Sequence, residues 1–299
     1  MNIKKIQLTN LLYQDYLVKF KAYTIQIGYN VNSCEQLPRS LKEFFYWLEG
    51  QGIEAIEIID SKIIKSFYLY LQSRPNQRNR GGTLSQSHIT SILYGIRVFY
   101  EYLLSSQAIA YSPFDTLRFP QAKYLSRESL TRSQIKALYD ACQTLLDKAL
   151  LGIYYGCGLR LREGIKLQIN DIRFSEGILY VTEGKGKKRR AVPMSGQVIR
   201  DLMSYYQLER PKVASNAFLL NNKQKALDIS TASKFFKRLL AKAALPSHYG
   251  VHHLRHSIAT HLLENGMKVE QVGDFLGHSC LESTQIYAQV STEYLLKTL

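Results

Sequence analysis

Long apolar runs are missing from this sequence. Nowhere do about 18 apolar residues follow one another, the length a helix needs to cross a bilayer, so no membrane-spanning helix is expected. The first residues, Met1-Asn2-Ile3-Lys4-Lys5, lead to Gln7 and Asn10 rather than into an apolar signal core. Cysteine is scarce. Cys34, Cys142, Cys157 and Cys280 are scattered and form no C-x-x-C pair, which argues against a disulfide framework or a cysteine-rich zinc site. His252 and His256 have the i, i+4 spacing of metal ligands, but no H-E-x-x-H arrangement accompanies them, so neither metal nor cofactor is expected. Internal repeats and low-complexity tracts are absent too. Acidic residues are few: 24 against 39 lysines and arginines, a formal charge of +15. Such a surplus suits a polyanionic partner. The expectation is a soluble cytoplasmic protein with reduced thiols.

What is present falls into two parts. Residues 1–120 read as an all-helical bundle of four or so amphipathic helices. Ser40-Leu41-Lys42-Glu43 has the form of a capping box ahead of Phe44-Phe45-Tyr46-Trp47-Leu48. Ile63, Phe67 and Leu71 share a helix face that stops at Arg74-Pro75. Ser85 opens another helix, with Ile89, Ile92, Ile96, Phe99 and Leu103 on one side and Ser112-Pro113 as the break. The segment 119–123 reads as a linker. Residues 125–299 read as mixed α+β. Thr131-Arg132-Ser133-Gln134 forms a capping box. The runs Ile178-Leu179-Tyr180-Val181 and Ala191-Val192-Pro193-Met194 predict a β-hairpin with Glu183-Gly184-Lys185-Gly186-Lys187 at its tip. Helical texture then returns. The fold class is mainly α with a small β-sheet.

The chemistry-bearing residues lie in four segments of the second part. The first is Gly156-Cys157-Gly158-Leu159-Arg160-Leu161-Arg162-Glu163 and the second Gly184-Lys185-Gly186. The third runs from His252-His253-Leu254-Arg255-His256 to Leu263. The fourth is Leu276-Gly277-His278-Ser279, with Tyr287 nine residues after His278. His252 and Arg255, at i, i+3, share a helix face. Asn265-Gly266 ends that helix, and Val269, Val272, Phe275 and Leu276 predict the next, halted at Gly277. Ser279-Cys280-Leu281-Glu282 is a third capping box, opening the helix that bears Tyr287. Singly each segment is weak. A lone arginine is usually a surface cation, a Gly-Lys-Gly tip usually a turn, and tyrosine is common in this chain, with 21 copies.

In order, the set Arg160, Lys185, His252-x-x-Arg255, Leu276-Gly277-His278 and Tyr287 resembles the tyrosine recombinase family of Xer recombinases, phage integrases and integron integrases. The resemblance covers most of residues 125–290. It implies a helical core-binding (SAM-like) bundle in 1–120 and a catalytic domain in 125–299. It also implies a catalytic set of Arg160, Lys185, His252, Arg255, His278 and Tyr287, with Tyr287 forming a 3′-phosphotyrosine and no metal or ATP needed. Glu163, one turn from Arg160, would hold a neighbouring cation. The implied partners are double-stranded DNA recombination sites, a homotetramer on two such sites, and an accessory bending or directionality factor; no membrane is involved. With twelve residues after Tyr287 and no further N-terminal domain, the minimal two-domain form is expected.

Two positions depart from the family pattern. Arg162 stands where a small hydroxyl residue is common, and Gly164 where leucine is common. On these departures the expected task is mobile-element integration or excision, or DNA inversion. Xer-type chromosome dimer resolution is the alternative. The rival classes are a type IB topoisomerase, a non-catalytic DNA-binding regulator and a metal-dependent nuclease.

Overall fold

The computed structural model describes residues 6–76, 82–120, 128–182 and 189–277. The chain divides into two compact units, Met1–Tyr124 and Leu125–Leu299. Each has its own apolar core.

The first unit is built from α1 (Leu11–Gln26), α2 (Val31–Gly50), α3 (Ser61–Ser73) and α4 (Gln86–Ser105). Asn10, Asn30, Asp60 and Ser85 cap their N-termini by accepting backbone N–H groups that the first turn leaves without partners. Ser40 does not start a helix as its capping-box pattern suggested. The helix starts nine residues earlier, at Val31, and runs through Pro38. Cys34, Leu37, Leu41, Phe44, Phe45 and Leu48 form one buried stripe along it, so packing carries the helix past the local signal. Ser40 instead donates to the Gln36 carbonyl at 3.2 Å. Aromatic rings fill the centre: Tyr13 stacks on Phe45 at 4.3 Å, and Phe99 meets Phe20 and Phe45 edge-on. Within this core Glu43 and Arg74 form a buried ion pair, Arg74 donating from Nε and Nη2. The fourth helix ends at Ser106, ahead of the Ser112-Pro113 break, where Gln107 takes a left-handed turn.

In the second unit α5 (Arg132–Asp140) opens on the Thr131–Gln134 capping box. Then come α6 (Leu145–Leu151), a π-helical turn over Gly152–Gly156, and α7 (Leu161–Ile165). Three strands follow: β1 (Ile172–Arg173), β2 (Ile178–Thr182) and β3 (Arg189–Pro193). They form an antiparallel sheet in the order β1-β2-β3. The hairpin stands where the two apolar runs placed it; β1 is too short to leave a periodic signal. Among the described residues, the helices α8 (Gly196–Ser204), α9 (Ile229–Lys242), α10 (Val251–Glu264) and α11 (Val269–Leu276) follow. One sheet face, carrying Leu179, Val181 and Val192, joins Leu150, Ile153, Leu202, Leu239 and Leu254 in the core. Among the described residues, no helix is long and apolar enough to cross a membrane.

Candidate functional site

The site begins where the π-helical turn hands over to α7. Gly158 has φ +61°, in the left-handed region that favours glycine. A Cβ there would lie 2.8 Å from Leu276 Cδ2 and 3.2 Å from Phe275 Cε1, so the bare backbone lets the first motif pack directly against α11. Two residues on, Arg160 caps α7. The Glu163 carboxylate reaches back to it, accepting the Arg160 backbone N–H at 2.8 Å and Nη1 at 2.7 Å. The i, i+3 spacing read from sequence is therefore a reciprocal lock at a helix start.

Arg255 lies on α10 and is buried. The helix is fixed from the far side by Ser257, whose Oγ accepts the Leu130 N–H at 2.7 Å and donates to the His253 carbonyl at 2.7 Å. Arg255 donates from Nη1 to the Gly158 carbonyl and from Nη2 to the Leu276 carbonyl, both at 2.6 Å. Arg160 donates from Nη2 to the Gly277 carbonyl at 2.9 Å. Gly277 is also left-handed, with φ +66°, and ends α11. Thus the two glycines of the motifs do structural work as acceptors that set the planes of both guanidinium groups.

Glu163 is the hub. Besides Arg160 it binds Arg190, whose Nη2 donates to Oε2 at 3.0 Å and Nη1 to Oε1 at 3.3 Å. Arg255 Nη1 stands 3.9 Å from the same carboxylate. Burial works against ionisation of Glu163. The Arg190 hydrogen bonds, the Arg160 backbone N–H, the Arg190 charge and the Arg160 side chain outweigh it, and its carboxyl is held below the ordinary carboxylate value. Among the described residues, three guanidinium groups gather around this one carboxylate. Forked cationic donors of this kind match the oxygens of a phosphodiester.

His252 is exposed on α10, one turn before Arg255. His253, next to it, is turned to its own helix start, its Nδ1 accepting the Gly250 N–H at 2.9 Å. Of the six residues picked from sequence, the structure brings Arg160 and Arg255 to one carboxylate and places His252 one turn before Arg255 on α10. Lys185, His278 and Tyr287 lie outside the described residues, as does the third capping box at Ser279.

Arg190 is the site residue that motif reading overlooks. In sequence it counts as one of the cations crowding the hairpin, with Lys185, Lys187, Lys188 and Arg189. Its side chain is only 11% exposed and tied to Glu163, so it is not a solvated arm cation. The signal was present in the strand's period of two. Arg190 alternates with Val192 and pairs across the ladder with Val181, both buried, so it faces inward and needs a carboxylate. Among the described residues no cluster of histidine, cysteine and carboxylate side chains could hold a metal ion.

Residues 128–293 match the model of the phage integrase family. The chain belongs to this family, the tyrosine recombinases, enzymes that cleave and rejoin DNA. It is 30% identical over 293 residues to tyrosine recombinase XerD of Staphylococcus saprophyticus, covering 95% of each chain. It is 29% identical to tyrosine recombinase XerC of Bacillus subtilis, covering 92% of this chain and 91% of that one. Among solved structures it resembles the XerH site-specific recombinase bound to a palindromic difH substrate in a post-cleavage complex. There the TM-score is 0.77 and the identity 18%, over 98% of this chain and 97% of that one.

Proposed function

We propose that this chain is a site-specific DNA recombinase that cuts and rejoins DNA through a 3′-phosphotyrosine on Tyr287. The observation that supports it best is the pairing of Arg160 and Arg255 around Glu163 with both guanidinium planes fixed by carbonyls. The phenol oxygen of Tyr287 attacks the scissile phosphorus, the bond from phosphorus to the 5′ oxygen breaks, and the protein is left joined to the 3′ phosphate. The bond energy is kept, so the 5′ hydroxyl of a partner strand can reverse the step without ATP. Arg160 and Arg255 bind the nonbridging oxygens as their charge grows. A guanidinium carries more N–H groups than its orienting carbonyls occupy, so orientation and phosphate binding are compatible. His252 and His278 add donors, one of them taking the Tyr287 proton, and Lys185 protonates the leaving 5′ oxygen.

On this reading the first unit is the core-binding domain and the second the catalytic domain. Four protomers join two duplex sites in the cytoplasm, an accessory DNA-bending or directionality factor could act with them, and no metal ion takes part. A solved structural neighbour, the Tn1549 transposon integrase, is in complex with transposon right end DNA, which supports DNA as the partner. The formal charge of +15 supports it independently.

The task proposed on the departures at Arg162 and Gly164 is integration or excision of a mobile element, or DNA inversion. The departure at Gly164 has a packing cause: a Cβ there would lie 2.4 Å from Tyr154 Cε1, so the tyrosine ring occupies the room a larger residue would need. That weakens Gly164 as a sign of the mobile-element or inversion task. The identity to XerD and XerC favours the second reading, dimer resolution of the Xer type.

The test uses duplex sites that the purified protein selects from a random-sequence pool. Two such sites on one plasmid should recombine in EDTA without ATP. Relaxation of any supercoiled plasmid without site preference would indicate a topoisomerase, loss of cutting in EDTA a metal-dependent nuclease, and binding without strand exchange a regulator.

A further inference from the structure

Arg190 enters the site from β3, the strand that leaves the hairpin, whereas Arg160 enters from α7 and Arg255 from α10. Its guanidinium spans two acceptors. It grips both oxygens of Glu163, at 3.0 and 3.3 Å, and donates from Nε to the Phe275 carbonyl at 3.3 Å. The next carbonyls along the chain, of Leu276 and Gly277, are those that orient Arg255 and Arg160. A Cβ on Gly277 would lie 2.7 Å from Arg190 Cδ and 2.8 Å from its Nη1, so the turn passes directly over this side chain. Arg190 therefore holds the common carboxylate and the α11 end together.

We infer that Arg190 is a positioning residue of the strand-transfer reaction: acting through Glu163 and the end of α11, it fixes the orientation of Arg160 and Arg255 without touching DNA. The inference rests on the proposed roles of Arg160 and Arg255. A buried carboxylate that loses one of its cations is under-compensated, and Glu163 would turn to another partner if Arg190 were lost. Arg160 already donates to Glu163 at 2.7 Å, so the group drawn in is Arg255, whose Nη1 stands 3.9 Å away, and moving that guanidinium toward Glu163 takes it off the phosphate. Misplacement by about 1 Å can cost roughly 10²-fold in rate. The depressed pKa of Glu163 agrees with a carboxylate kept ionised to serve as this anchor.

The experiment is a double-mutant comparison on a nicked duplex chosen by the wild-type protein from a random pool. It measures the rate of covalent adduct formation and, separately, the dissociation constant. Arg190→Ala is expected to slow the adduct by roughly 10- to 100-fold with DNA affinity changed less than about threefold. In a Glu163→Gln background, where the anchor has lost its charge, the same replacement should cost much less. Arg190→Lys should recover part of the rate, since it keeps the charge but not the fork; should the alanine variant not fold, the lysine variant carries the same comparison. Equal losses in both backgrounds, or a fall in affinity as large as the fall in rate, would overturn the inference. Failure of the wild-type protein to form an adduct would instead remove the reading beneath it; adduct formation by the wild type with an unchanged rate in Arg190→Ala removes the inference alone.

Discussion

Arg255 donates from Nη1 to the Gly158 carbonyl at 2.6 Å, bridging 97 positions of the chain and fastening the second arginine motif to the first. The companion bond, from Nη2 to Leu276, ties the same side chain to the fourth segment. One buried guanidinium thus registers three separated sequence segments, which explains why isolated boxes carry so little information and their ordered combination so much.

Replacing Arg255 by lysine should be severe. A lysine has a single nitrogen and cannot meet Gly158 and Leu276 in the same plane. The expected loss in adduct rate is about 10²–10³-fold, the usual effect of removing an oriented transition-state donor. Single-turnover cleavage of a nicked site measures it. A loss below tenfold would show that charge alone suffices.

Gly158→Ala tests the backbone side of the same contact. The new Cβ would sit 2.8 Å from Leu276 Cδ2 at φ +61°. Left-handed strain costs on the order of 1–3 kcal/mol, and crowding adds to it. Urea unfolding should show a destabilisation of at least that size. Gly266→Ala serves as the comparison: its φ is also positive, at +86°, but a Cβ meets nothing within 4 Å. Equal effects at the two glycines would mean that the contact with α11 is unimportant.

His261 gives a pH signature. It is buried, with Nδ1 3.0 Å from the Tyr155 hydroxyl. Burial lowers its pKa from the ordinary value of about 6.5; the Glu264 charge opposes this, while that of Arg132 assists it. The unfolded chain therefore takes up this proton at a higher pH than the folded one. Its contribution is fully present above about pH 6.5 and is lost as pH falls through the lowered folded value. His261→Gln should flatten the decline in unfolding free energy between pH 7.5 and 5.5. An unchanged decline would assign it to other groups.

Much of the fold can be read from local pattern. The Thr131 box, the Ser85 cap, the stop at Arg74-Pro75, the hairpin strands and the turns at Gly266 and Gly277 all depend on neighbouring residues. Ser40 misleads because tertiary burial of Leu37 and Cys34 extends α2 beyond a plausible start. β1 owes its existence to pairing with β2, which two residues cannot announce. In the site, the motif spacing selects Arg160 and Arg255 and sets Glu163 one turn from Arg160 as a holder for a neighbouring cation. It does not reveal Arg190, whose partner is 27 positions away and whose inward direction shows only when its strand alternation is followed from Val192.

The most direct measurement concerns Tyr287. The wild-type protein and Tyr287→Phe would be incubated with a nicked duplex bearing the selected site, and covalent adducts resolved under denaturing conditions. Loss of the phenol oxygen removes the proposed nucleophile and leaves an aromatic ring of nearly the same shape. The expected result is a 3′-linked adduct with the wild type, mapped by peptide mass to Tyr287. Tyr287→Phe should form no adduct while its DNA affinity stays within about threefold, because the phosphate contacts that dominate affinity are left in place. An adduct formed by Tyr287→Phe, or one mapped to a different residue in the wild type, would contradict the account.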